Sequence, residues 1–375
     1  MGSVTAYETS GGKRYRVRYR KPDRSQTDKR GFRTKREAEE FLASVEVSKL
    51  RGDWIDASLA KVSVAEWSGR WLEAQIQLKP TTLANYRQGL TKHVLPRWGK
   101  TRLSDITHAD VQTWVGTLNQ TLAAGGVRQT YLILSGILKY AIQDGRLTRN
   151  PCDNIRLPRI AKKSRGYLSA DQVVMLAETI DELSDVVVFL AYTGLRWGEM
   201  AALRVRDLKL DLHRLHVARA VTEVGGRLVW GTPKSHESRS VPFPEFLTVP
   251  LARRCEGKSG EELVFAAPGG GALRNTNFRH RLFNRAVERA MEADSEFPKV
   301  TVHDLRHTAA SLAISSGAHV KSVQRMLGHA SAAMTLDVYA DLFADDLDAV
   351  AVALNEKGND SDVGKLWAKD AIAES

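Results

Sequence analysis

The segments TVHDLRHTAASLAISSG (Thr301–Gly317), KSVQRMLGHAS (Lys321–Ser331) and MTLDVYA (Met334–Ala340) carry the residues around which this 375-residue chain can be interpreted. Apolar residues recur at helical spacing in the first segment, which predicts a helix beginning near His303. His303 and Arg306 are three residues apart and therefore share a face of its first turn. A helix N-terminus favours an anion, and an arginine adds a planar fork that matches phosphate oxygens. The pair indicates a phosphate site; a capping histidine beside a solvated arginine is the alternative interpretation.

His303 and His307 also lie four residues apart, which is the spacing of the two zinc-binding histidines in HExxH metalloproteases. That motif needs a glutamate as its second residue, whereas this chain has Asp304 there. Arg306 inside the pair would also repel a cation. We therefore expect no metal at this position.

A second helical pattern leads to Gly328, which is typical of a helix terminator and places His329 in the turn that follows. Tyr339 comes ten residues later, with apolar residues three and four positions beyond it. Alone, that spacing favours a core tyrosine on an amphipathic helix. Together with His303 and Arg306, however, His329 and Tyr339 complete a set of side chains able to hold and attack a phosphate.

Composition indicates a polyanionic partner. The formal net charge is +11 at pH 7, and 375 residues suffice for two or three domains with cores of their own. The two cysteines, Cys152 and Cys255, provide no disulfide framework, so a reducing cytosol is expected. The N-terminus has no long apolar run, and no stretch reaches the ~18 apolar residues that a membrane helix needs. We therefore expect neither a signal peptide nor a membrane span.

Residues 1–56 are predicted to form a small three-stranded sheet followed by a helix. Gly11 and Gly12 mark a hairpin, and the second strand alternates arginine with tyrosine and valine. The arginines that share one face of this strand are Arg14, Arg16, Arg18 and Arg20. Strands can enter a DNA groove, and arginine binds both phosphates and guanine edges, so this face is predicted to bind DNA. A solvated basic face is the alternative.

Residues 62–155 have helical periodicity throughout, which predicts a four-helix domain with short loops. Thr81 or Thr82 is expected to cap its second helix, and its aromatic residues are expected in the core rather than on a surface that stacks on bases. Residues 156–166 follow as a basic linker without an acid, which suits a clamp that closes around a duplex. The predicted DNA contacts on this linker are Arg159, Lys162 and Lys163. A solvated linker is the alternative.

Residues 167–354 are predicted to form a larger mixed α/β domain. Ser169 is expected to cap its first helix, while Gly194 ends a buried helix and a new one begins near Arg196. Glu199 lies three residues after Arg196 and could orient its guanidinium from behind. A surface ion pair is the alternative, which the apolar neighbourhood disfavours.

Three antiparallel strands are predicted after this helix, at Leu215–Glu223, Arg227–Gly231 and Arg239–Pro242, with a Gly-Gly turn between the first two. Lys234 lies on the second connection. A lysine at a hairpin tip is usually solvated, but it can also reach into a site as a proton donor. Residues 355–375 are expected either to dock on a neighbouring subunit or to be a disordered tail.

In these motifs the chain resembles the tyrosine recombinases, in particular phage integrases with an N-terminal arm-binding domain. The resemblance spans nearly the whole chain and rests on seven positions in the family order: Arg196, Glu199, Lys234, His303, Arg306, His329 and Tyr339. It implies a multidomain fold, mainly α with small β-sheets. The implied parts are an arm-binding sheet with a helix, a four-helix SAM-like core-binding domain, and a mixed α/β catalytic domain of the tyrosine recombinase type.

The resemblance also implies a mechanism that needs no cofactor and no metal. Tyr339 would attack the scissile phosphate and leave a free 5′-hydroxyl and a 3′-phosphotyrosine, which retains the bond energy for rejoining. His303 is the expected base, and Lys234 is the expected donor of a proton to the departing oxygen. The residues expected to stabilise the phosphate are Arg196, Arg306 and His329.

The implied partners are double-stranded DNA attachment sites, further copies of the chain in a homotetramer on DNA, an excisionase and a host DNA-bending protein. The implied setting is the bacterial cytoplasm or nucleoid, with integration and excision of a phage or prophage as the reaction. A type IB topoisomerase shares the chemistry but relaxes DNA as a monomer, and the arginine-rich first domain argues against it. A simple resolvase usually lacks that domain. A DNA-binding architectural protein without catalysis is the remaining alternative, which the complete polar set disfavours.

Overall fold

The computed structural model describes residues 2–21, 25–51, 59–161, 166–233, 238–339, 351–352 and 354–358. The chain divides into two compact units, Met1–Lys162 and Lys163–Ser375. The first unit contains a small sheet and several helices, and the second contains helices and two small sheets, so the predicted mainly α fold with small β-sheets is confirmed. Within the described ranges, no helix is long and apolar enough to cross a membrane.

The N-terminal sheet is antiparallel throughout and has the strand order β1-β2-β3. Its strands are β1 (Ser3–Thr9), β2 (Gly12–Arg20) and β3 (Gln26–Phe32). Gly12 lies at the first turn with φ +95°, a conformation that favours glycine, and the predicted hairpin is therefore present. Helix α1 (Lys35–Arg51) follows the sheet, as predicted.

The alternation of side chains along β2 decides which face of this sheet is covered. Val17 is fully buried in a cluster with Ala38 of α1, and Tyr15 and Tyr19 pack against the same cluster. The arginines of β2 alternate with these residues and so occupy the other face. On that face the Nε of Arg16 donates a hydrogen bond to the hydroxyl of Thr5 at 2.8 Å.

The rest of the first unit is helical. Its helices are α2 (Val64–Glu73), α3 (Pro80–Gly89), α4 (Leu95–Trp98), α5 (His108–Thr121) and α6 (Ala124–Gln143). A π turn at Leu90–Val94 joins α3 and α4 into one continuous helical run, which gives the predicted four helices. Lys79 is the N-cap of α3 and Pro80 follows in its first turn, so the prediction of a cap at Thr81 or Thr82 was wrong. A proline is favoured there because its fixed φ is already helical and its missing N–H would have no partner in the helix.

Stacked aromatic pairs hold these helices together. Trp67 and Tyr140 have ring centroids 5.1 Å apart at an interplanar angle of 24°, and Trp71 and Tyr86 have centroids 5.3 Å apart at 17°. Both tryptophans are buried. The aromatic residues therefore belong to the core, as the sequence predicted.

The second unit is also largely helical. Its helices are α7 (Ala170–Glu178), α8 (Ser184–Thr193), α9 (Trp197–Met200), α10 (Thr248–Cys255), α11 (Asn275–Phe278), α12 (Asn284–Ala293), α13 (Asp304–Ser315), α14 (Val320–Leu327) and α15 (Ala332–Tyr339), and residues 351–352 and 354–358 are helical as well. Ser169 closes a capping box with Gln172 at the start of α7, which confirms the predicted cap. Gly194 ends α8 with φ +64°, which confirms the predicted break.

The described strands of the second unit form two sheets, whereas the sequence predicted three consecutive antiparallel strands. They are β4 (Leu208–Lys209), β5 (Arg214–Val217), β6 (Ala220–Val224), β7 (Arg227–Gly231) and β8 (Arg239–Pro242). The first sheet has the order β4-β5-β8, and β6 and β7 form a separate hairpin whose turn glycines both have positive φ. The predicted first strand is interrupted near Arg219, whose guanidinium binds both carboxylate oxygens of Asp207 at 2.7 and 2.6 Å.

Packing within the second unit brings several element ends together. Helix α13 packs against α8 and α14, and α14 packs against β8 and α15. A buried apolar cluster joins α13, α14 and α15; its members are Ala310, Ile314, Val323, Leu327 and Tyr339. The start of α13, the ends of α8 and α14, and Tyr339 of α15 therefore lie near one another, although they are distant in sequence.

Candidate active site

Arg306 lies in the first turn of α13 and is 3% exposed. Its Nη1 donates to the carbonyl of Gly194 at 2.7 Å, and its Nη2 donates to the carbonyl of Leu327 at 2.6 Å. The guanidinium therefore bridges the ends of α8 and α14. Burial lowers the pKa of Arg306 to about 9, with a further contribution from the charge of Arg196, so the side chain is still protonated at neutral pH.

Glu199 connects two further arginines at this place. Its Oε1 accepts from the Nη1 of Arg196 at 2.8 Å, and its Oε2 accepts from the backbone N–H of Arg196 at 3.0 Å. Arg239, at the start of β8, donates from Nη1 to Oε1 at 3.1 Å and from Nη2 to Oε2 at 2.7 Å. The side chain of Glu199 is 1% exposed, so the predicted contact with Arg196 is present and is not a surface ion pair.

The two arginines keep the buried carboxylate ionised. Burial by itself would raise the pKa of Glu199, but the hydrogen bonds and charge of Arg239, and then those of Arg196, outweigh it and hold this pKa at about 2. We call Arg196, Glu199, Arg239 and Arg306 the arginine cluster. Its three guanidiniums outnumber its one carboxylate, so the cluster favours an anionic ligand.

His329 follows the end of α14. Gly328 ends that helix with φ +65°, as predicted, and the backbone N–H of His329 donates to the carbonyl of Gln324 at 3.1 Å. The ring Nδ1 is 3.0 Å from the hydroxyl of the buried Thr335, which fixes the ring orientation. Burial, followed by the charges of Arg306 and Arg196, lowers the pKa of His329 to about 4, so the ring is neutral at pH 7.

Tyr339 lies in α15, at the end of its described part, and is 1% exposed. Its ring belongs to the buried cluster with Ala310 and Leu327, and its hydroxyl is 2.7 Å from the Nδ1 of His307. The ring is therefore a core residue, as its spacing alone favoured, and its hydroxyl reaches the polar first turn of α13. His307 and His303 also contact each other, with ring centroids 5.2 Å apart in an edge-to-face arrangement.

His303 occupies the N-cap position of α13, where its side chain makes no capping hydrogen bond and is exposed. Its partner in the edge-to-face contact, His307, lies between it and Tyr339, because the His307 and Tyr339 ring centroids are 5.6 Å apart. Of the predicted catalytic residues that the structure describes, His303 is thus the one most open to solvent.

The structure brings together five of the six predicted catalytic residues and the supporting acid. They are Arg196, Glu199, His303, Arg306, His329 and Tyr339. Lys234 lies outside the described residues, as do Lys162, Lys163 and most of the tail at 355–375. Arg159 is described and is exposed. Across the ranges that the structure describes, no group of three or more His, Cys, Asp or Glu side chains is placed to hold a metal ion.

Sequence reasoning missed two residues of the site. The strand pattern marks Arg239 only as the start of a strand, yet an acid as deeply buried as Glu199 needs more positive charge than Arg196 alone provides. The histidine spacing identifies His307 only as a possible zinc ligand, which its neighbours disfavour. Its position one turn after His303, on the same face of the helix, was the available signal.

The arginine cluster lies near the Tyr339 hydroxyl and the neutral ring of His329, an arrangement that can hold an anion such as a phosphodiester. Comparison with known proteins agrees. Residues 167–345 match the phage integrase family, and residues 63–119 match the phage integrase N-terminal SAM-like domain. The chain belongs to the phage integrase family of tyrosine recombinases.

Individual relatives cover most of the chain. The ICEBs1 integrase of Bacillus subtilis is 29% identical over 285 residues, covering 72% of this chain and 76% of that protein. The tyrosine recombinase XerC of Oceanobacillus iheyensis is 27% identical, covering 72% of this chain and 88% of the relative. In fold, the chain is similar to lambda integrase in a tetramer bound to a Holliday junction, with a TM-score of 0.59, 20% identity, and coverage of 87% and 95% of the two chains.

Proposed function

We propose that this tyrosine recombinase is a phage or prophage integrase that cuts and rejoins DNA through a 3′-phosphotyrosine on Tyr339. The observation that carries the proposal is the arginine cluster, because it brings Arg196, which Glu199 holds in place, together with Arg306 from a distant part of the chain. A phosphodiester is an anion that two guanidiniums can hold by its non-bridging oxygens. Family membership supports DNA as the source of that phosphodiester.

In the proposed reaction, the Tyr339 oxygen attacks the scissile phosphorus and the bond from phosphorus to the 5′ oxygen breaks. The phenol loses its proton to His303, our candidate base, and Lys234 protonates the departing 5′ oxygen. Arg196, Arg306 and the neutral ring of His329 stabilise the charge that develops on the phosphate. Rejoining reverses these steps with a different 5′-hydroxyl, so no external energy source is needed.

The burial of Tyr339 adds one step to this scheme. A hydroxyl on a side chain that is 1% exposed cannot reach a phosphate on a DNA duplex. We therefore propose that the DNA-bound protein releases Tyr339 from its contact with His307 before cleavage. The buried position then describes the protein before it engages its substrate.

The domain assignment is part of the proposal. Residues 1–56 would bind arm-type sites, 62–155 the core site, and 167–354 would carry catalysis, with 156–166 as a basic linker and 355–375 as a tail. The partners would be double-stranded attachment sites, further copies of the chain in a tetramer, an excisionase and a host DNA-bending protein. The setting would be the bacterial cytoplasm.

The Tyr339→Phe variant tests the proposed nucleophile. It removes only the hydroxyl, so we expect attachment-site DNA to bind with an affinity within about twofold of the wild type, because the phenol adds little to phosphate contacts. A suicide substrate with a nick beside the scissile phosphate traps the covalent intermediate of the wild-type protein, which is resolved by denaturing electrophoresis. The variant should give no adduct.

Two outcomes would contradict the assignment. An adduct formed by Tyr339→Phe would place the nucleophile elsewhere, and no adduct with the wild-type protein would favour a DNA-binding protein without catalysis. Holliday junctions among the products distinguish recombination from the relaxation that a type IB topoisomerase performs. Sequencing the DNA trapped on Tyr339 would identify the attachment site.

A further inference from the structure

Arg239 has all three guanidinium nitrogens on protein acceptors. Its Nε donates to the carbonyl of Met326 at 3.0 Å, and its two terminal nitrogens donate to the two oxygens of Glu199. The side chain is 10% exposed, compared with 25% for that of Arg196. Of the two arginines on Glu199, Arg196 is therefore the one that remains open to a ligand, and Arg239 is committed to the protein.

The contact with Glu199 controls the geometry of Arg196. The same two carboxylate oxygens that bind Arg239 also accept the side-chain and backbone N–H groups of Arg196. Because a bidentate arginine fixes the plane of a carboxylate, Arg239 determines where Glu199 holds Arg196. A lysine would neutralise the charge without fixing the plane.

The contact with Met326 controls the turn that carries His329. Met326 lies in the last turn of α14, two residues before Gly328. A Cβ at Gly328 would lie 2.9 Å from the Cδ and 3.0 Å from the Nε of Arg239, so the arginine side chain runs directly against this turn. Arg239 thus touches both supports of the phosphate site, the acid behind Arg196 and the helix end before His329.

We propose that Arg239 is a positioning residue that fixes Arg196 and His329 relative to each other for DNA cleavage. The proposal rests on the proposed recombinase function and assigns Arg239 no contact with DNA.

The variants Arg239→Lys and Arg239→Gln test this role in the full-length protein, on a nicked substrate built from the attachment site. Arg219→Lys is the matched control, because the Nη2 of Arg219 donates to both carboxylate oxygens of the buried Asp207 in the same unit. We expect Arg239→Lys to bind DNA within about threefold of the wild type but to form the covalent adduct about 100-fold more slowly, because small displacements of catalytic groups have effects of this size. Arg219→Lys should change adduct formation by less than about threefold at a similar loss of thermal stability.

A pH profile separates positioning from a general loss of structure. The carboxylate of Glu199 binds Arg196 and Arg239, its charge also acts on Arg306, and His329 lies beside the same three arginines. In Arg239→Gln the carboxyl keeps its burial but loses one cationic partner, so its pKa rises and cleavage should fall as the pH is lowered towards 5. The double variant Arg239→Gln, Glu199→Gln should lack this acidic limb, because it has no carboxyl at position 199 to titrate.

Three results would overturn the proposal. One is cleavage at the wild-type rate by both Arg239 variants. Another is an equal loss of cleavage in Arg219→Lys, which would indicate a general effect of destabilisation. The third is weakened DNA binding that accounts for the whole loss of cleavage, which would make Arg239 a direct DNA contact. Absence of any adduct with the wild-type protein would instead refute the proposed function itself.

Discussion

At the scale of the residue, Tyr339 combines a buried ring with a hydroxyl that is proposed to attack DNA. The hydroxyl is 2.7 Å from the Nδ1 of His307, and the ring lies in an apolar cluster. A hydrogen bond of this kind contributes about 1 kcal/mol, which is enough to change the population of an open state about fivefold. His307 is therefore a residue through which the exposure of the proposed nucleophile can be altered without changing the arginine cluster.

We predict that His307→Ala increases the reactivity of Tyr339 towards tetranitromethane about fivefold in the absence of DNA, because the variant lacks the hydrogen bond that retains the phenol. Nitration is measured by mass spectrometry of the tryptic peptide that contains Tyr339. Tyr131, whose hydroxyl donates to the carbonyl of Cys152 at 2.6 Å in the other unit, is the internal control and should not change. Equal nitration of Tyr339 in both proteins would show that the apolar cluster alone retains the ring.

Single residues were predicted well where the chemistry is local. Ser169, Gly194 and Gly328 were found because a cap or a left-handed turn involves only neighbours in sequence. Arg239 was not found, because its acceptor Glu199 is 40 residues away and no periodicity links the two. Long-range partners of this kind follow from the fold and not from the local pattern.

At the scale of the element, the end of α14 is restricted more tightly than an ordinary helix terminus. Gly328 has φ +65°, and Arg239 leaves no room for a Cβ there. Because Arg239 is held by three hydrogen bonds, it cannot move aside freely. The turn before His329 therefore depends on glycine for two separate reasons.

We predict that Gly328→Ala lowers the rate of covalent adduct formation by about tenfold or more, because the added methyl group displaces either Arg239 or the turn. Gly226→Ala is the matched control: Gly226 has φ +77°, but a Cβ added there would meet nothing within 4 Å. Both substitutions incur a backbone cost of about 1–2 kcal/mol, which thermal unfolding measures. A similar rate for the two variants would show that the close approach of Arg239 has no functional weight.

The same long-range dependence explains the error in the strands. Alternation and a Gly-Gly turn identified the hairpin of β6 and β7 correctly. They could not show that β8 pairs with β5 instead of β7, since that choice depends on packing between segments that are distant in the chain. Helix positions, in contrast, followed from apolar spacing, with errors of about two residues such as the cap of α3.

At the scale of the whole molecule, two positively charged regions of the chain are proposed to bind DNA. The arginines of β2 occupy the face of the sheet opposite α1, and the linker at 156–166 carries exposed Arg159. The sheet has its own small core of Val17, Phe32 and Ala38, so its polar face can be altered without disturbing its fold.

We predict that replacing Arg14, Arg16, Arg18 and Arg20 together with glutamine abolishes binding to arm sites, while cleavage at the core site persists. Each lost phosphate contact should reduce the slope of log affinity against log salt by about 0.9, because fewer counterions are released. The control is the pair Lys35→Gln and Arg36→Gln on α1, whose side chains face Glu39 and Glu40 at 3.4 and 2.9 Å. Unchanged footprints at arm sites in the fourfold variant would assign arm recognition to another part of the chain.

The concealment of the Tyr339 hydroxyl also has a bearing on timing. The proposed reaction conserves the energy of the cleaved phosphodiester bond and needs no nucleotide hydrolysis. A hydrolysis step therefore cannot control when cleavage begins. Exposure of the Tyr339 hydroxyl can exert this control instead. We therefore expect copies of the protein that are not assembled on an attachment site to leave the host chromosome uncut. DNA cleavage would begin only after assembly of the protein–DNA complex has released the Tyr339 side chain from its buried apolar cluster.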